Sequence, residues 1–159
     1  MNMAKNMSEE ENKTQRQFAV DLFNLTWEYL EKPERTAEED DTMLNAAHAS
    51  RYHWEQVGTA PNLVRGEWQI SRVYAVLQRP EPALYHARRC LELCQANGIG
   101  DFDLAYAYEA LARASAVAGD IDVCDRYLAL AIEAGEAITE DDDKEYFVND
   151  LKTIPGYEN

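Results

Sequence analysis

The chain predicts an all-α fold of about seven helices, paired as antiparallel hairpins and stacked as an α-solenoid. Three observations carry this. Apolar residues return at spacings of three and four, and nowhere alternate with polar residues for long enough to mark a strand. Proline and glycine punctuate the chain about once per helix length, at Pro33, Gly58, Pro61, Pro80, Pro82, Gly98, Gly119, Gly135 and Pro155-Gly156. A pattern of side chains also recurs: Arg65, Trp68 and Arg72 are followed 41 residues later by Tyr106, Glu109 and Arg113. Positions three or four apart share a helix face, so each triplet forms one stripe. A repeat of this length, built as helix, turn, helix, belongs to the solenoid class.

Residues 1–12 are polar and are expected as a disordered tail, residues 13–155 as one helical domain, and residues 156–159 as a second tail. Helix one starts at Thr14 and carries two apolar lines, Phe18, Leu22, Leu25 and Tyr29 beside Ala19, Phe23, Trp27 and Leu30. Such a helix is either covered on two sides or forms a subunit contact. Pro33 ends it. Thr36 and Glu39 have capping-box spacing and open helix two, which runs to Gly58. Glu38, Glu39, Asp40 and Asp41 fall in its first turns, where they complement the helix dipole.

Helix three starts near Pro61 and reaches about Gln78. Arg79 to Pro82 make the turn into helix four, which stops at Gly98. Asp101 is placed to cap helix five, ending at Gly119, and Asp120 to cap helix six, ending near Gly135. Thr139 and the acids Glu140 to Asp143 start a seventh helix, closed by Pro155-Gly156.

With 30 acids against 15 bases, the formal charge is −15. That excess argues against nucleic acid, whose phosphates reward a basic face, and against anionic membranes. The N-terminus lacks the apolar core of a signal peptide, and no apolar run reaches the roughly 20 residues of a membrane span. Three cysteines fit a reducing compartment better than a disulfide framework. A cytoplasmic protein is the expectation.

Small residues also repeat with the 41-residue period. Ala83, Ala87 and Cys90 in helix four match Cys124, Leu128 and Ala131 in helix six, with Thr42, Ala46 and Ala49 in register in helix two. With Ile70, Ser71 and Tyr74, and with Leu111, Ala112 and the Gly119-Asp120 turn, these positions resemble tetratricopeptide-type repeats. The resemblance covers roughly residues 64–135, with helices one and two as a looser third unit and helix seven as a cap. The phrases AAHASRYHW, RGEWQISRVYAVL, HARRCLELC and AYEALARA are similar to those of bacterial members of this type.

The resemblance implies a concave groove, lined by the first helix of each pair, that binds extended peptides. The groove positions it implies are Arg65, Trp68, Arg72, Tyr106, Glu109 and Arg113, with Asn24, Trp27 and Glu31 corresponding in helix one. Arginine forks suit carboxylates, and flat rings anchor peptides. The expected role is therefore non-catalytic binding of a protein or peptide partner, of an acidic or carboxylate-bearing kind. Two alternatives stand beside it. One is a small-molecule or anion sensor in which His48, Arg51 and Trp54 close with the stripe over a ligand. The other is a structural homodimer through helix one.

Chemistry of other kinds finds less support. His48 and His53 do not share a helix face, and no HExxH pattern or paired CxxC occurs. His86, Cys90 and Cys94 form a stripe too long for one metal centre, and packing accounts for Cys90 and Cys124. Asp141 to Asp143 read as a solvated helix start. No metal, cofactor or catalytic residue is assigned.

Overall fold

The computed structural model describes residues 6–157. Among them it has seven α-helices and no strand: α1 (Glu9–Leu30), α2 (Ala37–Val57), α3 (Ala60–Val76), α4 (Pro80–Ala96), α5 (Asp101–Val117), α6 (Ile121–Glu136) and α7 (Asp141–Leu151). The closest packing is within α1/α2, α3/α4 and α5/α6, and each hairpin then packs on the next through α2/α3 and α4/α5. The first helices α1, α3 and α5 also touch in sequence, so they form an inner layer, with α2, α4 and α6 outside it.

Burial follows from that stacking. α3 and α5 have neighbours on every side, and each buries residues around its whole circumference. α1 and α6 lie at the ends and bury only one stripe. Ala83, Ala87 and Cys90 are fully buried, and their small volumes let α4 sit close to both neighbouring hairpins. The third unit is less regular. Ala46 is buried, but Thr42 is exposed and its hydroxyl donates to the Glu38 carbonyl.

Several boundaries differ from the sequence expectation for identifiable reasons. α1 begins at Glu9 rather than Thr14, so residues 9–12 are helical and not tail. Ser8 and Glu11 form a capping box, the Glu11 amide donating to Ser8 Oγ at 3.2 Å and the Ser8 amide to Glu11 Oε2 at 2.7 Å. Residues 1–5 of the expected tail lie outside the described residues. α4 begins at Pro80 because both prolines fit its first turn, where no intrahelical donor is required.

Asp101 is the first residue of α5, not its cap. Its carboxylate accepts from the Phe102 amide and from Thr139, and so ties the α4–α5 corner to the α6–α7 turn. Thr139 is thereby drawn away from starting α7, which begins at Asp141 after Glu140. Of the expected C-terminal tail, Tyr157 packs against the core, and residues 158 and 159 lie outside the described residues.

No helix among the described residues is long and apolar enough to cross a membrane. The second apolar line of α1 is used within the chain: Trp27 meets Trp68 with ring centroids 5.5 Å apart, and the Phe23 carbonyl accepts from Gln69. Phe18 remains half-exposed beside His53.

Candidate functional site

The stripe residues of α3 and α5 converge on the inner layer. Glu109 lies at their centre and is fully buried. Its Oε2 accepts from the Trp68 indole at 3.1 Å. Its Oε1 accepts from Arg72 Nη1 at 3.2 Å and from Arg113 Nε at 2.6 Å. The 41-residue period explains the meeting, since equivalent positions on adjacent hairpins face one another. Trp68 and Tyr106 pack edge to face at 5.3 Å, and the Arg72 guanidinium lies over the Trp68 ring at 5.9 Å.

An acidic segment already occupies much of this face, and it belongs to the same chain. α7 packs on α5 and α6 and projects Asp150 between the stripes. Tyr106 donates to Asp150 Oδ2 at 2.7 Å, and Arg72 Nη2 lies 3.4 Å from Oδ1. Arg113 Nη2 donates to the Asp150 carbonyl at 3.1 Å and to Thr153 Oγ1 at 2.8 Å. Burial, and then the bond to Asp150, push the Tyr106 phenol far above its ordinary range, so it serves as a fixed donor. Arg65 stands apart at the lip, its side chain 54% exposed, and donates through Nε and Nη2 to both oxygens of Asp103 at 3.0 and 3.2 Å. Each of the three stripe arginines therefore has a carboxylate partner.

Beside these pairs a cavity of about 120 Å³ remains open between α1, α3, α5 and α7. Its walls are chiefly the rings of Trp27, Trp68, Phe102, Tyr106 and Tyr146, with Arg65, Asp103 and Asp150 at the edge. Trp27 was legible as the α1 counterpart of Trp68. Tyr146 and Asp150 were not, because nothing in the repeat pattern indicates where α7 folds back, nor were Phe102 and Asp103, whose counterparts 41 residues earlier are Pro61 and Asn62. Asn24 faces a neighbouring recess with Trp54 and Arg65, and Glu31 is the C-terminal cap of α1.

His48 and Arg51 do not join the stripe. They sit on the opposite side of α3, where Arg51 lies across Gly66 to reach Glu67, Nε to Oε1 at 3.0 Å. A Cβ at Gly66 would stand 2.7 Å from Arg51 Cδ, so the glycine makes room for this approach. Glu67 Oε2 also accepts from His86 Nδ1 at 2.6 Å, and His86 stacks on Tyr74. Tyr74 in turn bonds His48 Nε2 at 2.9 Å. Trp54 lies under Arg16 and shares a recess with Arg65, which His48 and Arg51 do not line. The expected sensor arrangement of His48, Arg51 and Trp54 with the stripe is thus not formed.

This second cluster sets a pH dependence. Burial, followed by the neighbouring His86, holds the His48 imidazole below its ordinary 6.5. Burial alone would raise the Glu67 carboxyl, but the hydrogen bond from His86 and the Arg51 charge bring it below its ordinary 4.5. For both groups the unfolded chain takes up protons first, so the stability they contribute is present above the unfolded value and lost as pH falls through the folded one. Melting temperature followed by circular dichroism from about pH 7 to about pH 2.5 is expected to fall in two stages, the upper starting near the ordinary histidine value and the lower near the ordinary carboxylate value. His48→Gln should remove the upper stage and keep the lower; an unchanged upper stage would assign it elsewhere.

The three cysteines are free and buried, and Cys90 Sγ contacts the Val64 carbonyl at 3.4 Å. His86 turns to Glu67 and away from them. Among the described residues, no three His, Cys, Asp or Glu side chains are grouped to hold a metal ion. Comparison with protein-family models, with curated proteins and with solved structures finds no match.

Proposed function

We propose that the chain is a cytoplasmic, non-catalytic binding module of tetratricopeptide-like build, whose inner face receives the compact apolar end of a ligand in the aromatic cavity. The observation that carries this is the cavity itself: about 120 Å³, walled by aromatic rings and closed on one side by α7. Converging aromatic side chains with a few polar groups at the edge are the usual lining of a ligand pocket, and the volume here takes the end of a ligand rather than the whole of one. Asp103, Glu109 and Asp150 are each engaged by arginine or tyrosine, which supports a binding role for this place.

The test is a titration of isotope-labelled protein with small fragments, read at the three tryptophan indole signals. Saturable shifts at Trp27 and Trp68, with Trp54 unmoved, are expected. A fragment at about 100 times its dissociation constant should also add about 2.7 kcal/mol of stability. Shifts confined to other regions, or none from neutral, cationic and anionic fragments alike, would remove the cavity from consideration.

A second reading keeps the acidic peptide as partner, favoured by the way Asp150 is held. Arg72 and Tyr106 donate to its carboxylate as they would to a ligand's, and Arg113 donates to the backbone carbonyls of Asp150 and Thr153. Such a peptide competes with α7 for the same donors. Its binding must therefore strengthen when α7 is undocked.

A further inference from the structure

The chemistry of the cavity narrows its occupant, given the reading that the cavity is the ligand site. An apolar cavity of roughly 150 Å³ is known to take up benzene. The 120 Å³ here suits a compact group of about five or six heavy atoms. Shape then separates flat from tetrahedral guests. A flat ring wants a slot between parallel walls; Trp27 and Trp68 come nearest to that at 32°, but Phe102 and Tyr106 stand at 53° and Trp68 and Tyr106 at 82°. Steeply inclined walls enclose a corner, which a tetrahedral head fills better.

Charge points the same way. Arg65, Arg72 and Arg113 are balanced within the site by Asp103, Glu109 and Asp150, so an incoming anion meets no unengaged guanidinium. Beyond that neutral cluster lies a protein of net charge −15, with Asp143 near enough to act on Arg65. The net charge of the whole molecule favours the approach of a cation over that of an anion. The rings are also tuned for one. The Trp68 indole donates to the Glu109 carboxylate and the Tyr106 phenol to that of Asp150, and each bond pushes electron density back into the ring. Richer rings have more negative faces, the feature that holds a cation over an aromatic surface.

We propose that the cavity between α1, α3, α5 and α7 is a site for an organic cation with a compact alkylated ammonium head, of the trimethylammonium class. Trp27, Trp68 and Tyr106 supply the ring faces, and Asp103 and Asp150, each paired with an arginine, leave the edge without net positive charge. The head needs no hydrogen-bond partner, which matches walls whose own donors are already used.

Choline and its uncharged carbon isostere, 3,3-dimethylbutan-1-ol, share a shape and differ in charge, so they isolate the cation. The full-length chain is titrated with each at matched ionic strength, following tryptophan fluorescence and calorimetric heat. Choline is expected to saturate at a concentration at least about tenfold below the isostere, the margin expected from ring–cation attraction in a partly dry site. Trp27→Leu should abolish this preference without changing the helical circular dichroism, and Trp27→Phe should keep part of it.

An acetylated, amidated trimethyllysine, run beside choline, distinguishes a modified protein side chain from a free small molecule; saturable binding of either supports the shared head. Equal or tighter binding of the isostere overturns the cation while leaving the cavity as a ligand site. No saturable binding of choline or trimethyllysine also overturns the cation, and the neutral fragments then decide separately whether the cavity binds anything.

Discussion

Replacing Glu109 by alanine is expected to destabilise the fold by about 3–5 kcal/mol, the range for removing one partner from a buried ion pair. The side chain is fully buried and accepts from Trp68, Arg72 and Arg113 together. Its loss leaves two guanidinium groups facing each other across a site with little water, and an indole N–H without an acceptor. Arg113, only 7% exposed, has no solvent route by which to recover its hydration. For a chain of this length each kcal/mol lowers the melting temperature by roughly 2–4 °C, so a fall of about 6–20 °C should appear in a thermal scan.

Glu109→Gln keeps the shape and one acceptor but turns an amide N–H₂ toward an arginine, and should lie between alanine and wild type. The discriminating measurement is urea unfolding of both variants. A loss below about 1 kcal/mol for Glu109→Ala would mean that water already reaches the cluster and that its burial is overstated.

The convergence of Trp68, Arg72, Tyr106, Glu109 and Arg113 was legible because helical spacing and the 41-residue period fix which faces of α3 and α5 oppose. Their saturation was not. Arg72 meets Asp150 across 78 residues of sequence, and α7 has no counterpart in the repeat from which its position could be inferred. A stripe rich in arginine therefore reads from sequence as an open basic groove, whereas Asp103 and Glu109 of α5 neutralise part of it and the remaining acid, Asp150, comes from a helix outside the period.

The histidines illustrate a related limit. His86, Cys90 and Cys94 share a line on α4, yet His86 bonds Glu67 while the cysteines sink into the core, because consecutive steps of four drift around the helix. The start of α1 shows the opposite case. Ser8 and Glu11 carry the capping-box spacing openly, and only the polarity of the stretch obscured it.

Phe147→Ala should release α7 from the inner face. Phe147 is fully buried; its ring meets Tyr106 edge to face at 4.9 Å and lies so close to Gly135 that a Cβ there would stand 2.5 Å from Cε1. Truncating a buried phenylalanine costs about 3–5 kcal/mol when the whole domain bears the loss. Here a cheaper route exists, since α7 packs only on α5 and α6 and, at 11 residues, is too short to persist as a helix once undocked.

The expected outcome is therefore local. Amide exchange over residues 141–151 should accelerate while α3 and α5 keep their protection. Gly135→Ala should act in the same direction by intruding on the ring from the other side, at about 1–3 kcal/mol. Undocking also withdraws Asp150 and Thr153 from Arg72, Tyr106 and Arg113, leaving two guanidinium groups and a phenol without those partners. An acidic peptide should then bind the variant at least about tenfold more tightly than wild type, a gain of about 1.4 kcal/mol. Faster exchange without tighter peptide binding would show that α7 completes the fold and does not stand in for a ligand.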